Sequence, residues 1–178
     1  MVNIKYFSPR ILALAKRGDA GFDLTASAEP TFGGAKSYST LREGSLPVTN
    51  FLSLDYIEYN TGVIWDPPEE NLVGLLFPRS SVTKYSLMLK NSVGVLDSGY
   101  RGEISARFQY LWQPQDFTID DGRIVGRIDG NKIYKLGDRV IQLLIFRTLN
   151  DAELELVTDK SLLSKTARGA GGYGSSGT

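Results

Sequence analysis

The chain has 178 residues, with twenty Lys and Arg residues against twenty Asp and Glu residues, and 42% of its residues are hydrophobic. This length favours one domain, and the balanced charge provides no overall basic field for duplex nucleic acid or an anionic membrane. Cysteine and histidine are both absent, which excludes disulfides, thiolate nucleophiles, Cys/His zinc sites and imidazole bases. We therefore expect any acid–base or metal chemistry to come from carboxylates, assisted by Arg and Lys.

The apolar stretches are short. Leu143–Phe146 falls far below the length of a membrane span, and Ile11–Ala15 is too short for the core of a secretory signal. We therefore expect no membrane contact and a cytoplasmic location.

Short runs rich in Val, Ile, Leu and aromatic residues dominate the chain and predict β-strands. These runs are Ile4–Phe7, Phe22–Ala26, Leu72–Phe77, Glu103–Tyr110 and Val140–Phe146. In the fourth run, Ile104, Ala106, Phe108 and Tyr110 alternate with polar residues, which is typical of a strand with one buried face. Many short strands at this spacing predict an all-β barrel or sandwich.

Turn and helix signals lie between these runs. Asp121-Gly122 and Asp129-Gly130 each separate apolar residues and predict hairpin turns. Ser80–Lys84 predicts one or two helical turns capped by a serine hydroxyl, and Lys160–Thr166 predicts another short turn.

Two stretches have the composition of insertions, and the C-terminus differs from the rest of the chain. Residues 29–50 are rich in Gly, Pro, Ser and Thr, which predicts a loop. Residues 111–135 contain the two Asp-Gly pairs and predict an extra β-excursion. Residues 168–178 contain five glycines and cannot build a core, so we expect an arm that is flexible until a ligand binds it.

The C-terminal arm has two interpretations. A Gly/Ser-rich end is often a disordered linker. Glycines also let backbone N–H groups approach anionic oxygens, and Arg168 could grip a phosphate with two hydrogen bonds. Tyr173 suits a lid that stacks on a flat base.

Two further segments carry candidate functional residues. Pro78-Arg79-Ser80-Ser81 can be a helix start, an anion site, or both. The segment Asn91–Ile104 can be a plain hairpin in which Asp97 caps the turn. Alternatively, Asp97 orients an attacking water and Tyr100 packs under a sugar ring.

Asp23 and Gln142 are polar residues within apolar strands. Asp23 can make a turn or a buried hydrogen bond, or it can face a metal ion. Gln142 interrupts an apolar run, so its amide needs a partner from the protein or from a ligand.

Taken together and in order, five segments resemble the motifs of the trimeric dUTPase family. They are Ala20–Leu24, Pro78–Ser81, Gly94–Ile104, Gly137–Gln142 and Arg168–Ser176. The third and fifth are the most distinctive. The chain departs from the usual pattern at four positions, each with a residue of similar character: Ser81, Ile141, Tyr173 and Ser176.

This resemblance implies a jelly-roll-like β-barrel over residues 1–167 with one short helix, and an arm over 168–178 that closes the active site. It also implies a homotrimer in which three chains share each site, and hydrolysis of dUTP to dUMP and pyrophosphate with Mg²⁺. Asp97 would activate the water, and Asp23 would contact the magnesium shell through water. The implied substrate-binding residues are Arg79, Ser80, Ser81, Asn91, Gly94, Val95, Leu96, Tyr100, Gln142, Arg168, Gly172, Tyr173, Gly174 and Ser175.

Two alternatives stay open. The related dCTP deaminases share the barrel but place a catalytic Glu about where Arg107 stands here, and they lack the Gly-rich arm. The enlarged loops at 29–50 and 111–135 resemble those of phage-encoded members, which leaves room for a protein partner and a regulatory role beside catalysis.

Overall fold

The computed structural model describes residues 3–12, 14, 16–40, 46–149 and 152–166. Residues 1–148 form one compact unit and residues 149–178 a second. The described elements are fourteen short strands and three 3-10 helices, so the all-β prediction is confirmed. The strands are β1 Lys5–Phe7, β2 Phe22–Thr25, β3 Thr31–Gly33, β4 Lys36–Thr40, β5 Val48–Ser53, β6 Tyr56–Asn60, β7 Ile64–Asp66, β8 Leu72–Pro78, β9 Leu87–Leu89, β10 Gly94–Leu96, β11 Ser105–Tyr110, β12 Phe117–Asp120, β13 Arg123–Gly126 and β14 Arg139–Arg147.

Antiparallel pairing joins these strands into four sheets. Sheet 1 has the order β10-β8-β14-β2, and sheet 2 has the order β3-β6-β11-β9. A further four-stranded sheet has the order β12-β13-β5-β4, and β1 pairs with β7 alone. Strands that neighbour each other in sheets 1 and 2 are distant in sequence, so these pairings depend on long-range contacts.

The core lies between sheets 1 and 2. In β11, Ala106, Phe108 and Tyr110 are buried while Arg107 and Gln109 are exposed, which confirms the predicted alternation. Sheet 1 contributes a matching set of buried residues to the same cluster: Leu24, Leu76, Leu96, Val140, Ile141 and Leu143. Burial of these apolar faces is the main force that holds the two sheets together.

The two insertions pair with each other, and we name the sheet β12-β13-β5-β4 the insertion sheet. The prediction of a loop over residues 29–50 was wrong, because β3, β4 and part of β5 lie there. Gly126 of β13 pairs with Phe51 of β5. Asn50 is fully buried in this sheet, where its amide oxygen accepts a hydrogen bond from Arg127 Nε at 2.8 Å. Tertiary pairing therefore overrides a loop-like composition.

One of the two predicted hairpin turns is confirmed. Asp121 and Gly122 have φ values of 48° and 70° and connect the paired residues Asp120 and Arg123. Positive φ at both central residues gives the tight turn whose twist suits a β-hairpin.

The second predicted hairpin, at Asp129-Gly130, was wrong. The Asp129 carboxylate accepts a hydrogen bond from Asn131 N at 2.8 Å, which makes a local turn. The apolar residues that follow, Ile133 and Tyr134, insert into the core from an irregular segment. Their burial replaces the strand pairing that the sequence predicted.

The second unit contains a 3-10 helix over Lys160–Leu162, where a short turn was predicted. The Asp159 carboxylate caps it by accepting a hydrogen bond from Ser161 N at 2.8 Å. In the described part of the chain, no helix has the length and apolar character needed to cross a membrane.

Candidate active site

The residues predicted to bind a nucleoside line one cavity of about 210 Å³. Its walls come mainly from β10 and the turn that follows it, with further residues from β8, from the segment before β10 and from the start of β11. The lining residues are Leu76, Asn91, Gly94, Val95, Leu96, Asp97, Tyr100, Ile104 and Ser105. We name this cavity the nucleoside pocket.

Strand β10 gives the nucleoside pocket a backbone wall. It lies at the edge of sheet 1 and is paired only to β8 within that sheet, so its outer N–H and C=O groups have no strand partner there. A Cβ atom on Gly94 would lie 3.1 Å from Cβ of Leu76. A larger residue at this position would therefore require Leu76 or the strand to shift by a few tenths of an ångström.

The turn after β10 holds Tyr100 and Asp97 at the pocket wall. The Tyr100 N–H donates to Asp97 O at 3.1 Å, and the Tyr100 hydroxyl donates to Glu103 O at 3.1 Å. The ring folds over Gly102, where any side chain would overlap it. Asp97 is exposed, and among the described residues no hydrogen bond or ion pair engages its carboxylate. The carboxylate is therefore available to a water molecule.

A larger cavity of about 540 Å³ adjoins the nucleoside pocket and shares Asn91 and Gly94 with it. Its far wall carries Lys90, Arg107 and Tyr56. The Arg107 guanidinium lies 4.4 Å from the centre of the Tyr56 ring and donates to Glu58 at 3.0 Å. The hydrogen bond that Arg107 donates to Glu58 raises the pKa of Arg107 above its ordinary value. No role was predicted for this wall.

The residues predicted to bind phosphate gather at the far end of β8. Gln142 of β14 pairs with Asp23 of β2 on one side and with Phe77 of β8 on the other. Arg79 follows β8 directly, and its Nε donates to Asp23 Oδ1 at 2.7 Å. The Gln142 amide donates to Pro78 O at 3.4 Å. We name the set Asp23, Arg79, Ser80, Ser81, Arg139 and Gln142 the phosphate cluster.

Arg139 belongs to this cluster although the sequence argument assigned it no role. Its Nη1 donates to Asp23 Oδ2 at 3.0 Å, so two guanidinium groups share one carboxylate. The cluster therefore keeps a surplus positive charge that an anionic ligand can meet. A register shift between Arg139 and Ile141 accompanies this contact. Such a β-bulge changes the direction in which a side chain points. It leaves no clear signal in a sequence, so the contact of Arg139 could not be predicted.

The helix after Arg79 differs from the prediction in its cap. A 3-10 helix spans Ser80–Lys84, and its N-cap is Arg79, with no side-chain capping bond. The expected capping by a serine hydroxyl was therefore wrong. Ser80 is exposed, and the Ser81 hydroxyl accepts a hydrogen bond from Arg79 Nη1 at 3.4 Å. The Ser81 hydroxyl thus lies beside the guanidinium of Arg79.

Asp97 and the phosphate cluster lie toward opposite ends of β8. Leu96, next to Asp97, pairs with Gly74 near the start of β8. Arg79 lies five residues beyond Gly74, and five residues of extended chain span roughly 17 Å. Asp97 and Arg79 of one chain are thus too far apart to act together on one phosphate group.

The phosphate cluster suits a magnesium ion that arrives with its ligand. Among the described residues no group of three or more acidic side chains could hold a metal ion. Asp23 is a lone carboxylate between two guanidinium groups. Mg²⁺ often keeps several waters and binds through one or two carboxylates plus substrate phosphates. Both oxygens of Asp23 accept hydrogen bonds from guanidinium groups, so Asp23 would meet such an ion only through the waters that the ion keeps.

Five predicted site residues lie outside the described residues: Arg168, Gly172, Tyr173, Gly174 and Ser175.

Comparison with known proteins decides the family. No protein-family model matches the chain. The deoxyuridine 5'-triphosphate nucleotidohydrolase of Mycolicibacterium gilvum is 38% identical over 119 residues, which cover 66% of this chain and 67% of the relative. This chain belongs to the dUTPase family. A dUTPase of Desulfitobacterium hafniense is 29% identical over 171 residues, which cover 96% of this chain and 89% of the relative.

Solved dUTPase structures show the same fold. The dUTPase of Staphylococcus bacteriophage 80alpha, solved with dUPNHPP, superposes with a TM-score of 0.64 at 24% identity, covering 100% of this chain and 99% of that one. The dUTPase of phage phi11 superposes with a TM-score of 0.55 at 22% identity, covering 90% and 99%. The likeness confirms the jelly-roll-like fold and extends through both insertions.

Proposed function

We propose that this dUTPase acts as a homotrimer with three active sites, each shared between subunits. One observation supports the proposal: Asp97 and the phosphate cluster lie toward opposite ends of β8, roughly 17 Å apart along the strand. Asp97 and Arg79 of one chain would therefore not meet at one phosphate group. A second chain that places its phosphate cluster beside the nucleoside pocket of the first would complete the site.

The nucleoside pocket would select deoxyuridine. Asn91 and the backbone of Gly94, Val95, Leu96 and Asp97 would pair with the edge of uracil, as a complementary base does. The edge strand β10 supports this role because its three residues line the cavity and its outer side has no partner strand in the sheet. The Tyr100 ring, held over Gly102, would pack against deoxyribose and leave no room for a 2′-hydroxyl.

The phosphate cluster of the neighbouring chain would hold the triphosphate. Arg79, Ser80, Ser81 and Gln142 would donate hydrogen bonds to phosphate oxygens, and the Arg79 guanidinium can do so in two-pronged fashion. Asp23 would contact the magnesium shell through water. Mg²⁺, when bound, neutralises charge on the triphosphate.

Asp97 would orient a water and accept its proton while the water oxygen attacks the α-phosphorus in line. A new bond then forms between that oxygen and the α-phosphorus, and the bond from the α-phosphorus to the bridging oxygen breaks. Pyrophosphate leaves and dUMP remains. Such a reaction limits uracil in DNA and supplies dUMP for dTMP synthesis. Positioning and charge neutralisation suffice for this chemistry, without histidine or cysteine.

The test is pyrophosphate release from dUTP, dCTP, dTTP and UTP, with and without Mg²⁺. We expect release from dUTP with Mg²⁺ and little from the other three nucleotides. Ammonia release from dCTP would instead favour the dCTP deaminase alternative. At the position where that class is expected to carry a catalytic Glu, Arg107 is ion-paired to Glu58, and this supports the hydrolase.

Residues 168–178 are proposed as a separate arm that closes over the γ-phosphate and base, while residues 1–167 form the barrel domain. Truncation after Ala167 should lower turnover by orders of magnitude, because the Arg168 contact and the exclusion of water are lost together. All strands in the described residues end by Arg147, so the melting temperature without ligand should hardly change. Steady-state kinetics and thermal melting would check both expectations.

The matched control is truncation after Ser176, which removes Gly177 and Thr178 and should leave turnover intact. Wild-type turnover after truncation at Ala167 would contradict the closing arm. Residues 168–178 would then be interpreted as a linker.

The insertion sheet supports a second proposal, a protein partner beside catalysis. Ile119 and Ile124 face each other across β12 and β13, and each is more than 70% exposed. Solved phage 80alpha dUTPases are described as controlling the transfer of virulence genes. An exposed apolar pair suits a protein surface that covers it.

A cytoplasmic location in a bacterial cell, with a phage as one source of the gene, stays a prediction.

A further inference from the structure

A single guanidinium group ties the turn that carries Asp97 to a neighbouring strand. Arg101 Nη1 donates to Ser98 O at 2.6 Å and to Tyr100 O at 3.1 Å. Its Nη2 donates to Asp66 Oδ1 at 2.7 Å. The planar, rigid fork of arginine can hold these acceptors in one fixed geometry, which the ammonium of lysine cannot do.

Asp66 lies on a strand whose position is fixed by the core. It is the last residue of β7, and its neighbour Trp65 is 1% exposed in the core. Asp66 also pairs with Lys5 of β1. The carboxylate is therefore held by a strand whose position the core fixes, whereas Ser98 belongs to an exposed turn.

Apart from the hydrogen bond from Tyr100 N to Asp97 O within the turn, its other contacts lie nearer its end. Ile104 N donates to Val63 O at 2.7 Å, and Gly62 N donates to the Glu103 carboxylate at 2.6 Å. The Tyr100 hydroxyl bonds to Glu103 within the same segment. Arg101 reaches further back, to the carbonyl of Ser98 immediately after Asp97.

We infer that Arg101, anchored by Asp66, is a positioning residue that fixes the Asp97 turn for water attack. This inference rests on the proposed hydrolysis of dUTP. The Arg101 and Asp66 side chains are 48% and 51% exposed, and ion pairs so exposed contribute little to stability. Catalysis responds far more strongly, because a displacement of about 1 Å at a reacting group can cost about 100-fold in rate.

The test is steady-state kinetics with dUTP on the full-length protein. Arg101→Ala should lower kcat by roughly ten- to 100-fold and change KM by less than about threefold, because the residue is placed outside the ligand. Arg101→Lys should fall between that variant and wild type. Asp66→Ala should lower kcat in the same sense, and the double variant should lose less than the two single losses combined.

The matched control is Arg147→Ala, which removes an exposed ion pair of the same type with Glu69 and should leave kcat unchanged. Wild-type kcat in Arg101→Ala would overturn the inference, as would a rise in KM that accounts for the whole loss. Failure of the wild-type protein to release pyrophosphate from dUTP would instead overturn the proposed function. Sedimentation and thermal melting of each variant check that it assembles and folds as the wild type does. A loss of kcat in a variant that passes both checks is then due to displacement of the turn.

Discussion

Asp97→Asn should abolish dUTP turnover while leaving nucleotide binding largely intact. The amide keeps the shape of the carboxylate but loses the charge and the capacity to accept a proton. General base catalysis contributes about 10²- to 10⁴-fold to rates, and no imidazole is available as a substitute because the chain contains no histidine. The measurements are single-turnover pyrophosphate release and calorimetric binding of a non-hydrolysable dUTP analogue.

The matched control is Asp121→Asn, at the exposed tip of the β12–β13 hairpin. Asp121 has a φ of 48°, and asparagine tolerates that conformation as well as aspartate does. This variant should keep wild-type turnover and stability. Near-normal turnover in Asp97→Asn would contradict the proposed role of Asp97 as the base. Loss of analogue binding would show that the carboxylate contributes to binding of the substrate before the reaction.

The sequence predicted which residues belong to the nucleoside pocket and most of those in the phosphate cluster, but not the contacts between them. Each motif is short and local, so Asn91, Gly94, Asp97 and Tyr100 could be assigned together because they lie within ten residues. Asp23, Arg79 and Gln142 are far apart in sequence, and the resemblance to a family was needed to group them. Their meeting at the end of β8 follows from strand pairing, which single-sequence patterns do not specify.

The errors in the sequence prediction also have physical causes. The loop composition of residues 29–50 was real, but pairing with β13 and the buried Asn50 provide strand partners that composition cannot show. The role of Arg139 depends on a β-bulge next to it. No role was predicted for Arg101, because its contacts are with carbonyls and a carboxylate that only the fold brings together.

The separation of Asp97 from Arg79 has a testable consequence for assembly. When each site takes Asp97 from one subunit and Arg79 from another, two variants with opposite defects can complement each other. Arg79→Gln removes a charge-assisted phosphate contact that contributes about 1.5–3 kcal/mol, or roughly ten- to 150-fold in rate. Asp23 keeps its contact with Arg139 in this variant, so the fold should persist.

Mixing the Asp97→Asn and Arg79→Gln chains should therefore restore activity that neither variant has alone. When the chains assort at random after joint unfolding and refolding, about a quarter of the sites combine an intact Asp97 with an intact Arg79. Turnover should rise to about a quarter of the wild-type value, in a species that sediments at three times the subunit mass. Mixing the Asp97→Asn chain with a chain carrying both substitutions is the control and should restore nothing. A mixture that stays at the parental background, although it sediments as a trimer, would mean that Asp97 and Arg79 serve one site from one chain, and the shared-site proposal would be wrong.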